Sequence, residues 1–374
     1  MTDRRRILVA MSGGVDSSVA AALLVEAGHE VIGVTMKTFC YDEQAAPGKT
    51  CCGLDGIMDA KAVADVLGIP HYVFDVEEEF TRDVIDDFVA EYGRGRTPNP
   101  CVRCNSNTKF RDLLRRGRAL GCDGIASGHY VRIRRPEGGV PHLLRGRDPA
   151  KDQSYFLWGL PPSMLEVLHF PLGDLTKPEV RARARRLQLQ TADKAESQEI
   201  CFVPTGRYRD FLEKKLLPTH PALSPGPIVD LSGTVLGHHA GYADFTVGQR
   251  KGLGGGFPEA LYVLEVRPDT RAVVVGPLDR LSAVGAEVDG LNWLAEPPAA
   301  GEEILVQIRY RSAPVRSLVE RAGGEGSVGI RFPDGARAVT PGQSAVFLRG
   351  DRVLGGGRIR RSRLREPAAS GLTT

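Results

Sequence analysis

The run Ala10-Met11-Ser12-Gly13-Gly14-Val15-Asp16-Ser17-Ser18 and the thiols of Cys101, Cys104 and Cys201 are the residues of this chain whose types and spacing could do chemistry. The run follows the apolar stretch Ile7-Leu8-Val9 and opens a helical pattern, so it reads as a strand, a tight loop and a helix N-terminus. Gly13 and Gly14 allow backbone dihedrals that a Cβ forbids and bring N–H groups close to an anion. Ser12, Ser17 and Ser18 add hydroxyl donors, and the helix start adds the positive end of its dipole. The loop therefore suits a phosphate. It is not the Walker loop, because no Gly-Lys-Ser/Thr follows. The plainer alternative is a glycine turn whose helix is capped by Asp16 or a serine.

The thiols lie further on. In Thr97-Pro-Asn-Pro-Cys101-Val-Arg-Cys104-Asn105 two prolines restrict the backbone before a CxxC, and Arg103 and Arg111 nearby favour thiolate, the nucleophilic and ligating form. A third cysteine follows in Glu196-Ser-Gln-Glu-Ile-Cys201-Phe202. A CxxC alone suits a pair of buried thiols or half a zinc site equally well. A structural zinc takes four ligands, however, and no second CxxC or Cys/His pair is present. Cys40, Cys51, Cys52 and Cys122 read as structural or incidental.

The chain has 374 residues, enough for two or three domains with cores of their own. Its net charge of +3 is only mildly basic, so any nucleic-acid surface must come from local clustering. Such clusters exist: Arg94 to Arg118 holds eight Lys/Arg against one acid, Asp112, and a segment after Thr176 adds Lys177, Arg181, Arg183, Arg185 and Arg186. No apolar run approaches the roughly 20 residues of a membrane span. The polar start leads into a strand with no signal-peptide core, and seven cysteines is an odd number. A soluble cytoplasmic protein with no membrane partner is expected, with thiol or metal chemistry ahead of a disulfide framework.

The elements that must position these groups alternate at first. Ile7 to Ala10 is a strand, Val19 to Leu24 lie on a helix ending near Gly28, and Val31 to Val34 form the next strand. Ile57 to Leu67 have helical spacing before a strand from His71 to Val76. This is a doubly wound parallel α/β pattern, which holds ligands outside the carboxyl ends of its strands. Thr176-Lys-Pro-Glu179 is a capping box that starts a basic helix through Leu187. After Leu217 the helical period fades into prolines and strand-like segments, including Leu261 to Val266, Ala272 to Val275, Ile304 to Tyr310 and Ala345 to Leu348. We expect an α/β domain at 1–205, two small β-rich domains at 206–280 and 281–366, and a disordered tail at 367–374.

The loop Ser-Gly-Gly-Val-Asp-Ser resembles that of the PP-loop ATP pyrophosphatases, which cleave ATP between the α and β phosphates. Several further motifs narrow this. Gly95-Arg-Thr-Pro-Asn-Pro, Cys104-Asn105, Ala126-Ser-Gly-His-Tyr130, Lys151-Asp-Gln-Ser154, Ile200-Cys201-Phe202 and Thr246-Val-Gly-Gln-Arg-Lys-Gly-Leu253 resemble the bacterial tRNA-specific 2-thiouridylases, from about Arg5 to Arg363. The resemblance implies that ATP adenylates the C2 oxygen of a wobble uridine and that sulfur from a cysteine persulfide replaces it. A cysteine desulfurase or sulfur-carrier protein would supply that sulfur. By position, Cys104 is implied as nucleophile and Cys201 as persulfide carrier, the two closing a transient disulfide when sulfur leaves.

The resemblance also implies an ATP site of Ala10, Met11, Ser12, Gly13, Gly14, Val15, Asp16, Ser17, Met36 and Gly128. Asp16 would bind Mg2+ or orient pyrophosphate, Met36 would meet adenine through its backbone, and Gly128 would permit close approach to ATP. Asn99, Pro100 and Cys101 would face the target base, while His129, Lys151, Asp152, Gln153, Arg309, Tyr310 and Gln343 would touch tRNA. One position departs from the pattern. Better-studied members carry an aspartate, assigned an acid/base role, where this chain has Cys101. Cys101, Cys104 and Cys201 would suffice for a 4Fe-4S cluster with one open iron, so a cluster stands beside the persulfide relay. Two rival functions are an amidating ligase of the same superfamily, for which no glutaminase-like segment is present, and a non-catalytic RNA-binding protein, which would need no placed thiols.

Overall fold

The structure is a computed structural model that describes residues 4–38, 54–195, 200–203, 208–321 and 326–365. Cys40, Cys51, Cys52, the expected boundary at 205/206 and the tail from 367 lie outside the described residues.

Ile7, Leu8 and Val9 of β1 (Arg6–Ala10) are fully buried, as a strand covered on both faces requires. Strand β1 runs parallel to β2 (Glu30–Lys37) on one side and to β4 (Gly124–Ser127) on the other. With β3 (His71–Asp75) and β7 (Leu168–His169) outside them, the order is β3-β2-β1-β4-β7. Successive β1 side chains point to opposite faces. Ile7 and Val9 pack with α1 (Val15–Glu26), α2 (Leu54–Leu67) and α7 (Lys177–Arg186), whereas Leu8 and Ala10 pack with Phe110 and Leu113 of α6 (Phe110–Ala119). The sheet is thus doubly wound, as its alternating pattern implies. The strand order reverses between β1 and β4, and the glycine loop leaves β1 at that point.

Between β3 and α6 the chain forms α3 (Glu77–Phe80), α4 (Asp86–Gly93) and α5 (Pro100–Arg103). Two π-helical turns interrupt this stretch, Thr81–Ile85 before α4 and Cys104–Lys109 after α5. The wider turn at Cys104 is a local distortion of the kind frequently found at functional sites.

Helix α8 (Tyr208–Lys215) leads into a sheet of order β10-β11-β8-β9, built from β8 (Gly226–Val229), β9 (Val235–His239), β10 (Tyr262–Arg267) and β11 (Ala272–Gly276). Strands β12 (Ser282–Trp293), β13 (Glu303–Gln307), β14 (Val315–Arg321), β15 (Ser327–Arg337), β16 (Ser344–Arg349) and β17 (Arg352–Leu364) follow in the order β12-β15-β14-β13-β16-β17. Pairing of β12 with β17 closes them into a six-stranded barrel. The hairpin of β5 (Val131–Arg134) and β6 (His142–Arg145) joins that barrel sheet, with Leu144 opposite Arg352. Its strand pattern gives no hint of this, because a hairpin with a free edge can pair with any exposed neighbour.

The barrel also grips the α/β domain by charge. Arg358 of β17 donates to Asp87 of α4 at 2.8 and 3.1 Å and lies 3.2 Å from Glu91, which is 1 % exposed.

Candidate active site

Backbone geometry sets the glycine loop. Gly13 has φ +69°, and a Cβ there would lie 2.2 Å from the Gly56 carbonyl oxygen of α2. The N-cap of α1 is Gly14, with no side chain capping it, so Asp16 is not the cap. Gly14 O accepts from Ser17 Oγ at 3.1 Å and Ser18 Oγ at 2.9 Å, and Ser18 Oγ also accepts from Thr191 Oγ1. These hydroxyls therefore brace the loop. Among the three serines expected to face an anion, Ser12 is the exposed one. Ala10, Met11 and Val15 are buried beneath it, Met11 donating its N–H to Val34 O at 2.7 Å. Met36, at the end of β2, belongs to the core with its side chain.

Asp16 makes the strongest contacts. Its carboxylate accepts two bonds from Lys177 Nζ, at 2.7 and 2.8 Å, and one from Tyr130 OH at 2.7 Å. Lys177 is 7 % exposed. It is thus no surface cation, as its place in the basic segment suggests. A second lysine, Lys194, donates to Gly13 O at 3.0 Å and pairs with Asp59 of α2. Sequence reading missed both roles. One signal for Lys177 exists: it stands in the first turn of a helix, where the macrodipole disfavours a cation.

Gly128 is packed against the chain itself. A Cβ there would lie 2.7 Å from backbone atoms of Asp16 and Ser17, so the residue after β4 presses directly on the first turn of α1. Gly128→Ala is expected to cost about 1–3 kcal/mol of stability through overpacking and to weaken nucleotide binding together with it. Denaturant unfolding and equilibrium dialysis measure the two, and wild-type values in both would show that the loop yields.

Two of the three cysteines rest on one apolar floor. Cys101 N–H donates to the Asn99 side chain at 3.2 Å, which with Pro100 in the first turn starts α5. Cys101 is exposed. Cys104 is half-buried on a cluster containing Phe80 and Phe88 of the α/β domain, and Cys201 packs on the same cluster. Phe202 draws it there, its ring 5.1 Å from Phe88 and 5.8 Å from Phe80. Among the described residues, no three His, Cys, Asp or Glu side chains could together hold a metal ion. Cys101 faces solvent, whereas Cys104 and Cys201 are partly buried. Arg103 lies 3.9 Å from Asp87, which offsets part of the charge expected to act on the thiols.

Thr97, just before the thiols, joins all three parts of the chain. Its N–H donates to Pro341 O at 2.9 Å, its carbonyl accepts from Gln343 Nε2 at 2.8 Å, and its hydroxyl is 3.0 Å from that of Thr246. Gly342, at φ +93°, closes the joint, since a Cβ there would lie 2.8 Å from Thr97 N.

Several residues expected to touch tRNA also make internal contacts. Asp152 is buried and accepts from Arg145, Gly146 N and Ser154. His129 is buried between Phe110 and Phe170 and is 2.7 Å from Ser127 Oγ. Burial, reinforced by Lys109, pushes its pKa well below the usual histidine range, so it brings no charge to a phosphate. Gln153 accepts from Tyr130 N, and Arg309 donates to Val247 O and Thr340 Oγ1. Tyr310 packs on Phe156, ring centroids 4.3 Å apart. Gln153, Arg309, Tyr310, Gln343 and Lys151 keep part of their surface in solvent. Much of the basic cluster is matched internally: Arg94 and Arg96 by Glu91, Arg115 by Asp112, Arg185 by Asp193. Arg111 and Arg118 are exposed.

The site has known counterparts. The family described as tRNA methyl transferase HUP domain matches residues 5–205, its PRC-barrel domain 209–277, and an aminomethyltransferase beta-barrel domain 285–359. The tRNA-specific 2-thiouridylase MnmA of Geobacter metallireducens is 53 % identical over 360 residues, covering 95 % of this chain and 97 % of its own. The protein of the same name from Geotalea uraniireducens is 50 % identical, covering 95 % of each chain. A third, from Acidothermus cellulolyticus, is 50 % identical over 363 residues and covers 96 % of this chain and 98 % of its own. With relatives 50–53 % identical over at least 95 % of this chain, and with family models matching each of its three parts, the chain belongs to the family of the tRNA-specific 2-thiouridylases.

Proposed function

We propose that this protein replaces the C2 oxygen of a tRNA wobble uridine by sulfur, using ATP. The observation that carries the reading is an intact phosphate loop at the switch point of the sheet, with two half-buried cysteines on one aromatic floor of the same domain. Neither rival function uses both.

The uridine C2 oxygen attacks the α phosphorus of ATP, and pyrophosphate leaves into the loop. The loop N–H groups and the N-terminus of α1 stabilise the departing charge. Asp16 has a carboxylate side chain 32 % exposed beside the loop, a hard oxygen donor that suits Mg2+, and the ion when bound would neutralise phosphate charge. The terminal sulfur of a Cys201 persulfide then attacks C2, and AMP leaves with the original oxygen. Cys104 thiolate next attacks the Cys201 sulfur, breaking the S–S bond and leaving 2-thiouridine and a Cys104–Cys201 disulfide. A dithiol reductant supplies two electrons to reset the thiols, and a desulfurase or sulfur carrier reloads Cys201. Solvent-exposed Cys101, with Asn99 and Pro100, lines the approach of the base, and Lys151, Arg309, Tyr310 and Gln343 border it. Uridine in an anticodon loop is already single-stranded, so extruding it costs little.

The test is incubation with ATP and unmodified tRNA, with and without a persulfide donor, followed by nucleoside mass analysis. The reading expects 2-thiouridine only when ATP and donor are both present. An ammonia-dependent product would favour a ligase, and binding without product an RNA-binding protein.

A further inference from the structure

The phosphate loop from Ser12 to Ser17 carries no cation, and its one charged group, Asp16, is an acid. A polyphosphate approaching an unmatched carboxylate would be repelled. Lys177 supplies the missing charge from below. Its ammonium donates to both Asp16 oxygens at 2.7 and 2.8 Å and lies 5.8 Å from the centroid of the Tyr130 ring, whose hydroxyl holds the same carboxylate. Exposure falls from the acid to the base: the Asp16 side chain is 32 % exposed and that of Lys177 is 9 %. The lysine therefore sits behind the carboxylate as seen from solvent.

Its backbone is held as firmly. Lys177 N–H donates to Asp148 at 3.0 Å, and the preceding Thr176 donates its N–H and hydroxyl to Glu179 at 2.6 and 2.9 Å. A buried ion pair is a weak source of stability because both charges must be desolvated, and the first turn of a helix is a poor place for a cation. Both features point away from a purely structural origin.

We propose that Lys177 is a positioning residue for the nucleotide step: it neutralises Asp16, so that the loop accepts the triphosphate, and fixes which Asp16 lone pairs face the phosphates. It acts through Asp16 rather than by touching ATP. This rests on the reading of the loop as an ATP site.

Equilibrium dialysis of full-length protein with ATP in excess EDTA tests it without a divalent ion. Lys177→Met should bind ATP about tenfold more weakly than wild type, and Asp16→Asn about tenfold more tightly, from one charge added or removed near the phosphates. The double variant should return to within about threefold of wild type, because the charges it removes cancel. A double variant as weak as Lys177→Met would mean that Lys177 meets ATP directly and would overturn the proposal, as would wild-type affinity in either single variant. Should Lys177→Met not fold, the nearly isosteric Asp16→Asn decides by itself. Wild-type protein that binds ATP with Mg2+ but not in EDTA would overturn this role of Lys177 alone, and protein that binds none under either condition would overturn the ATP reading as well.

Discussion

Cys104→Ala and Cys201→Ala proteins should each lose tRNA thiolation by at least about 10³-fold, as enzymes lose activity when a group that forms or breaks a bond is removed. Cys101→Ala should keep a substantial part of the wild-type rate. The asymmetry follows from the packing. Cys104 and Cys201 rest on one apolar floor that includes Phe80, Phe88 and Phe202, whereas Cys101 faces solvent in the first turn of α5. In the relay only the two buried-side thiols exchange sulfur. A cluster held by all three would make the variants equally inactive, since two thiolates rarely retain a 4Fe-4S centre. Thiolation rates with iron counts on anaerobically purified variants separate the cases, and an inactive, iron-depleted Cys101→Ala protein would establish the cluster in place of the relay.

The second large effect lies at the other end of the site. Asp16→Ala should abolish ATP–pyrophosphate exchange and thiolation while tRNA affinity stays within about twofold, because the carboxylate is held by Tyr130 and Lys177 rather than by the side chains proposed to border the base. The variant removes three hydrogen bonds at once, from Tyr130 OH and twice from Lys177, and leaves that ammonium buried without its acid. Exchange at the wild-type rate would remove Asp16 from the nucleotide step.

Much of this was legible in the sequence because it is local. The glycine run after Ile7-Leu8-Val9 announces both strand and phosphate loop, the alternation up to Val76 announces the parallel sheet, and Thr176 to Glu179 form the capping box they spell. What sequence reading missed depends on distant side chains. Lys177 and Lys194 look like members of basic stretches until folding turns them onto Asp16 and Gly13. The close packing of Gly128 on the backbone of Asp16 and Ser17 is likewise visible only in the fold. The charge count from Arg94 to Arg118 overstated the surface available to RNA, because the acids that match it come from elsewhere, Glu91 and Asp87 on α4 among them. The barrel's hold on Thr97 through Pro341 and Gln343 joins residues far apart in sequence, and no local pattern encodes it.

The central claim is that one sulfur passes from Cys201 to the activated uridine and leaves Cys104 and Cys201 oxidised. Protein loaded once with persulfide, freed of donor and reductant, and mixed with ATP and unmodified tRNA allows a direct count by mass spectrometry of nucleosides and tryptic peptides. The account expects one 2-thiouridine and one Cys104–Cys201 disulfide to appear together, and neither without ATP. Thiouridine formed while both cysteines remain reduced thiols would contradict it.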